Sequence, residues 1–334
     1  MAYSEAVLLR AKQRLEQAKG RHEQDERERI ADVFARVPRL AEIDRELRKT
    51  AARICAAAFR SNTDPQAAIE QLRTANLALQ REREWLLESN EIDPDELNRT
   101  PFCPLCDGTG YRGAVMCDCL RELCRQEQKK ELNTLLGAGK ESFERFRADL
   151  YPAEYDERLG ASPRTLMQKT YEKCVRYAQT FSPVSPSLLF MGATGLGKTF
   201  LSACIARSVA ERGFSVCYVS AETLFSDFEA QKFRPGDHDR TRRYFDCDLL
   251  ILDDLGTEMT TQFTVSALYQ VVNTRLTAQK PTIISSNVAV KELENRYSPQ
   301  IASRLLGAYT LFKFYGTDIR MKIDTQARAN GNQK

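Results

Sequence analysis

The 334-residue sequence has no long apolar run, and this excludes a membrane-spanning helix. Its apolar runs, such as Leu249 to Leu252, fall far short of the roughly 18 residues that such a helix needs. It also has little net charge. Lys+Arg number 49 against Asp+Glu 46, a balance of +3 that excludes a strongly basic, histone-like chain and leaves room for a local basic patch. The opening MAYSEAVLLRAKQRLEQ is charged throughout and has no signal-peptide apolar region, so a soluble, cytoplasmic protein with no membrane partner is expected. Internal repeats and low-complexity tracts are missing, and the first hundred residues hold almost no glycine and no strand-like alternation. With 42% hydrophobic and 28% charged residues, the chain is able to bury a core, which excludes global disorder.

Helical periodicity dominates the N-terminal part. Leu40, Ile43, Leu47, Ala51, Ile54 and Ala58 recur at three- and four-residue spacing, with Pro38 suited to the first turn. Ser61 to Pro65 breaks this helix, Asp64 being a candidate N-cap. A second helix carries Ile69, Leu72, Leu79 and Leu86 on one side, and a long charged helix over residues 4–36 precedes both. The expected organisation is a helical hairpin or coiled-coil region at 1–95, a cysteine-containing segment at 96–125, a helical linker at 126–186, a strand-and-helix domain at 187–325 and a frayed tail at 326–334. From Leu188 onward, short apolar strands (LLFMG, SVCYVS, DLLILDD, PTIISSN) alternate with helical segments, which predicts an α/β domain with a parallel central sheet.

Ten cysteines are present, five of them between Cys103 and Cys124. Cys103-Pro-Leu-Cys106 and Cys117-Asp-Cys119 form a C-x₂-C…C-x-C pattern, with Gly108, Gly110 and Gly113 placed for tight turns. Two such pairs can close a tetrahedral structural Zn²⁺ site in a reducing compartment. A redox-active C-x-x-C and unliganded thiols are the alternatives. Cys124 is either a replacement for Cys119 or a plain buried thiol.

The chemistry concentrates further on. Gly192-Ala193-Thr194-Gly195-Leu196-Gly197-Lys198-Thr199 matches G-x-x-x-x-G-K-[ST] between an apolar strand and a helical segment. Glycines let backbone N–H groups curl around phosphates, and the helix N-terminus favours their charge. Lys198 then reaches the β- and γ-phosphates of ATP, and the Thr199 hydroxyl ligates Mg²⁺. The strand Leu249–Leu252 ends in Asp253-Asp254: Asp253 is the expected Mg²⁺ partner, and Asp254 orients or deprotonates the attacking water. Asn287, ending PTIISSN, is either a turn residue or a hydrogen-bond partner of the γ-phosphate or that water.

The order GATGLGKT, LLILDDLGTE, TIISSN, IASRLL, GTDIR resembles the AAA+ ATPases of the bacterial helicase-loader group, the DnaC/DnaI-like proteins, and their relatives, the IstB-like transposition helper ATPases. The resemblance covers roughly residues 140–322. It implies a slow, switch-like ATPase, since the second motif ends in Asp-Asp where many relatives have Asp-Glu, and it leaves Glu258 as a candidate auxiliary carboxylate. It implies that Arg304, in Ser303-Arg304-Leu305, is an arginine finger acting on ATP in a neighbouring subunit. Arg320, in Thr317-Asp-Ile-Arg320, would contact the γ-phosphate in its own subunit. Phe143 or Phe146 lines the adenine pocket or is ordinary core. Loader relatives carry a zinc-binding N-terminal domain that docks on the helicase, and the transposition helpers usually lack one. The resemblance therefore points to a DNA-replication helicase loader whose partners are the replicative helicase, single-stranded DNA and further copies of itself. The rival readings are a transposition helper and a zinc-stabilised adaptor with little turnover. Residues 231–243, QKFRPGDHDRTRR, place basic side chains beside Phe233 and Tyr244, a pattern suited to single-stranded DNA or to a solvated surface helix. His238 is assigned no role.

Overall fold

A computed structural model describes residues 3–58, 65–136, 141–233 and 239–320. The expected N-cap Asp64, the segment Arg234 to His238 and the tail at 326–334 lie outside the described residues, as do the side chains of Ala51, Ile54, Ala58, Ile69 and Phe233. The chain divides into two compact units, one formed by residues 14–117 and the other by 1–13 with 118–334.

The smaller unit is helical. Helix α1 (Glu5–Arg36) runs into it, followed by α2 (Pro38–Ala58) and α3 (Pro65–Ser89). Pro38 opens α2, where a missing N–H costs nothing. Val33, Val37, Leu40, Leu87 and Ile92 form the core of this unit, with Phe34, Leu86 and Leu97 packed against it. Arg39 makes a bidentate bond to Glu82 across α2 and α3, at 2.7 and 3.0 Å. A hairpin of β1 (Tyr111–Arg112) and β2 (Val115–Met116) follows.

The larger unit is an α/β domain. After α4 (Asp118–Leu135) and α5 (Pro163–Thr180) come β3 (Leu188–Met191), α6 (Lys198–Glu211), β4 (Val216–Ser220), α7 (Ala221–Phe233), α8 (Asp239–Asp246), β5 (Leu249–Leu255), α9 (Gln262–Thr277), β6 (Thr282–Ser286), α10 (Val290–Tyr297), α11 (Pro299–Ala308) and β7 (Thr310–Lys313). The sheet order is β4-β5-β6-β3-β7, and every pair is parallel. Central strands buried on both faces read as continuous apolar runs, as β3 and β5 do. Alternate residues supply the two faces: Leu189, Met191, Leu250 and Leu252 join one core layer, and Leu188, Phe190, Leu249 and Ile251 the other.

Two expectations change here. Residues 126–186 are not a linker. Leu132, Leu136, Met167, Cys174, Tyr177 and Phe181 belong to the core layer that also contains Leu188 and Phe190, because α4 and α5 bury apolar faces against α6, which itself packs on the sheet. The sheet also has a fifth strand, β7, absent from the strand reading. It lies at an edge and buries only Phe312, which stacks on Phe190 at 5.5 Å, so it presents no apolar run.

Arg275 is fully buried on α9. Its guanidinium donates to Tyr244 O (2.8 Å), Cys247 O (3.1 Å), Pro281 O (2.6 Å) and Thr282 Oγ1 (2.9 Å). It thereby satisfies the carbonyls of the turn entering β5 and of the residue before β6. Arg275→Met strands those buried acceptors and is expected to cost about 3 kcal/mol. Denaturant unfolding checks this; an unchanged midpoint would contradict the anchoring role.

Candidate nucleotide site

The site is built at the C-terminal edge of the sheet. β3 ends at Met191, the chain turns through Gly192–Gly197, and α6 begins at Lys198. Gly195 (φ 78°) and Gly197 (φ 88°) take the left-handed conformation that L side chains avoid. Space excludes side chains as well. A Cβ on Gly195 would overlap the Asp318 carboxylate, and one on Gly197 would meet the Tyr151 hydroxyl at 2.9 Å. Tyr151 Oη donates to Leu196 O at 3.0 Å, and Ile319 N–H donates to Gly195 O at 3.0 Å, so the loop is held from two sides.

A cavity of about 410 Å³ opens on this loop. Thr194, Gly195, Leu196, Gly197, Lys198 and Thr199 line it together with Asp254 and Arg320. Gly192 and Ala193 lie just before them and hold the lysine: Lys198 Nζ donates to their carbonyls at 2.8 and 2.9 Å. Lys198 is buried. Burial pulls its ammonium below the usual lysine range, Arg320 adds to this, and Asp254 and Asp253 oppose it. Phe146 also lines the cavity while stacking on Tyr171 at 4.4 Å, so it is both wall and core; Phe143 packs edge-on against Tyr171 and is not among the lining residues.

The acidic pair sits at an irregularity of β5. The register with β6 shifts between Leu252 and Leu255, and Asp254 takes φ 55°. Asp253 is buried and accepts from Tyr218 Oη at 2.6 Å and from Ser285 Oγ. Ser285 Oγ also receives Asp254 N–H at 3.0 Å. Asp254 faces the cavity. Burial raises its carboxyl above the usual range, and Asp253 adds to this, against Lys198 and Arg320. Thr199 and Asp254 line the cavity and offer oxygen donors of the kind Mg²⁺ takes, Asp253 lies next to Asp254 in sequence but not in the lining, and the glycine loop with the start of α6 fits a polyphosphate.

Other expected site residues lie elsewhere. Asn287 is exposed at the end of β6, its Oδ1 near Gly256, and it does not line the cavity. Arg304, on α11, donates to Asn273 Oδ1 (3.0 Å), Gln300 O (3.1 Å) and Tyr269 Oη (2.9 Å), away from the cavity lining. Glu258 is not a free carboxylate. It accepts from Gly256 N–H at 2.9 Å and from Tyr297 Oη, which ties the loop after β5 to α10. In the basic segment, Tyr244 is fully buried and Arg243 pairs with Asp227 at 2.9 Å, so neither is presented to a nucleic acid. Tyr218, Ser285, Tyr151 and Asp318 were missed. Ser285 and Ser286 carried a signal, being polar positions in an otherwise apolar strand.

In the segment 103–119, the thiols of Cys103, Cys106, Cys117 and Cys119 lie within 4.8 Å of one another, Cys103 and Cys117 at 3.9 Å. Zinc–thiolate bonds of about 2.3 Å in a tetrahedron place sulfurs roughly 3.8 Å apart, so the four residues fit Zn²⁺. Asp107 N–H and Cys106 N–H turn back onto Cys103 O, and Cys117 N–H donates to Gly110 O at 2.8 Å. Cys124 is fully buried outside this cluster, and burial pushes its thiol up to about 11, which makes it a plain core cysteine.

Two outcomes follow from this geometry. Elemental analysis of chelator-free, reduced protein should give about one zinc per chain, and Cys106→Ser should lower it; metal-free wild type would contradict the site. Asp254 takes up its proton at a higher pH than an ordinary aspartate. ATP turnover should therefore begin to fall, on acidification, above the ordinary aspartate range, while nucleotide affinity holds. Turnover and titration calorimetry across pH read the two, and a fall confined to the ordinary aspartate range would contradict the raised carboxyl.

Residues 148–308 match the family described as IstB-like ATP binding protein. The replicative helicase loader DnaC of Escherichia coli is 24% identical over 149 residues, 44% of this chain and 60% of that protein. A protein named for ATP binding in an insertion sequence of Mycobacterium tuberculosis is 29% identical over 121 residues, 36% of this chain and 48% of its own. A crystal structure of the DnaC helicase loader aligns at 17% identity and TM-score 0.44, over 52% of this chain and 98% of that one. The chain thus spans less than two thirds of the length of each of these two sequence relatives.

Proposed function

We propose that residues 148–308, which match the family described as IstB-like ATP binding protein, form a AAA+ P-loop ATPase domain, and that the protein is an ATP-hydrolysing helicase loader in DNA replication. The observation that carries the reading is the pairing of the nucleotide cavity with a four-cysteine cluster in the chain before it. The resemblance to helicase loaders implies that combination.

In this reading, Lys198 and the loop N–H groups hold the β- and γ-phosphates, and Mg²⁺, when bound, neutralises developing charge on the phosphate oxygens. Asp253 is oriented by two hydroxyl donors, Tyr218 and Ser285. Asp254 accepts the proton of the attacking water, and its raised proton affinity suits a general base. Arg320 supplies a guanidinium to the γ-phosphate from the cavity wall. Arg304, bound on the face formed by Tyr269, Asn273 and Gln300, serves a neighbouring copy. The N-terminal helices and zinc segment bind the replicative helicase, and the ATPase domain holds single-stranded DNA, with Arg240 and Arg242 on α8 as candidate backbone contacts. One observation favours a second reading, a transposition helper: the insertion-sequence relative shares the ATP-binding region.

Asp254→Ala should lower ATP turnover by about 10²-fold or more while nucleotide binding persists, and Lys198→Ala should lose both. Wild-type turnover at the blank level would leave only the adaptor. Solution mass of the protein mixed with the hexameric replicative helicase of the same cell, with and without ATP, discriminates the partners. A complex lost on deletion of residues 1–125 supports the loader; no complex in either state favours the transposition helper.

A further inference from the structure

The cavity on the glycine loop extends beyond the phosphate-binding residues, and the chain before β3 builds its remaining wall. Glu141, Arg145 and Phe146 line it there, together with Phe200 of α6. Among the described lining residues, the carboxylates are Glu141 and Asp254. Asp254 belongs to the phosphate end, beside Lys198 and the loop. Glu141 has no part in the phosphate chemistry.

An ion pair fixes where Glu141 lies. Arg207 Nη2 donates to Glu141 Oε2 at 3.3 Å, and Arg207 Nη1 donates to Asn133 Oδ1 on α4. The two side chains are largely withdrawn from solvent, Arg207 at 14% exposure and Glu141 at 24%. Arg207 stands on α6, nine residues after Lys198. At a rise of about 1.5 Å per residue, this is roughly 13 Å along the helix axis. The pair therefore holds the Glu141 carboxylate along α6, on the side of the cavity away from the loop. A nucleoside triphosphate with its phosphates at Lys198 extends its base toward that side, where Phe146 supplies an apolar wall.

We propose that Glu141 selects the base of the nucleotide: its carboxylate accepts a hydrogen bond from the 6-amino group of adenine and disfavours 6-oxo purines. The inference rests on the nucleotide-site reading. A carboxylate is an acceptor with about four lone-pair sites, so the bond from Arg207 leaves capacity for a ligand donor. Adenine carries an amino donor at ring position 6, and guanine carries an acceptor oxygen at the same position. In one and the same pose, the carboxylate bonds the first and faces the second acceptor to acceptor. The wrong base then leaves two polar groups unpaired in a partly desolvated site, which is the condition for strong discrimination. Arg207 is the positioning residue, since it ties the carboxylate to α6 and, through Asn133, to α4.

The test measures affinity and turnover of the full chain with Mg-ATP and with Mg-GTP. Wild type should favour ATP by about 10²-fold or more in kcat/KM. Glu141→Gln keeps the shape of the side chain but adds an amide N–H able to donate to the guanine oxygen. It should reduce the ATP preference by about tenfold or more, with the loss for ATP carried by KM and a gain for GTP. Glu141→Asp keeps the charge but withdraws the oxygens by one methylene, and should weaken ATP without improving GTP. An ion pair that only supports the fold would make Glu141→Gln lower both nucleotides equally. That unchanged ratio would overturn the proposal, as would a wild type that prefers GTP. A wild type that binds neither nucleotide would overturn the nucleotide-site reading itself, and base selection with it.

Discussion

A buried ammonium without a carboxylate bonded to it sets the terms of this site. Lys198 is removed from water at the first position of α6, and its hydrogen bonds go to Gly192 O and Ala193 O. Carbonyl dipoles compensate such a charge only partly. The helix N-terminus and the loop N–H groups add further positive potential. The surrounding architecture lets this arrangement persist. Tyr151 and Ile319 brace the loop, glycine conformations keep Cβ atoms out of it, and the two aspartates sit on β5, separated from β3 by β6. An anion of several charges is the ligand that relieves the imbalance.

The acidic pair shows how sheet geometry separates two like residues. Within one register shift of β5, Asp253 turns inward to two hydroxyl donors and Asp254 turns outward to the cavity in a left-handed conformation. Burial raises the proton affinity of Asp254, and the Asp253 carboxylate beside it adds to this. Ser285 serves both residues, bonding Asp253 through its proton and Asp254 N–H through its oxygen. Polar residues inside the apolar strand β6 thus have a positional purpose.

The α/β class and the order of the main strands were legible because buried parallel strands appear as apolar runs and the glycine loop has a fixed place between strand and helix. The fifth strand was not legible, since an edge strand that buries only Phe312 lacks that pattern. Nor was the absorption of residues 126–186 into the core, because an amphipathic helix does not name the surface it covers. The residues of the loop, Asp254 and Arg320 meet in one cavity, yet Tyr151 and Asp318 reach it by tertiary contact with no local signature. Tyr244 misled in the opposite direction. Basic neighbours in sequence suggested an exposed aromatic, whereas helical period places it in the core beneath α8.

The central claim is that Lys198 is held in reserve for phosphate. A crystal structure of the protein with Mg²⁺ and a non-hydrolysable ATP analogue tests it most directly. The account predicts Lys198 Nζ released from Gly192 O and Ala193 O and bonded to the β- and γ-phosphates, with Asp253 and Thr199 at the metal. A nucleotide bound elsewhere, with Lys198 still on those two carbonyls, would contradict it.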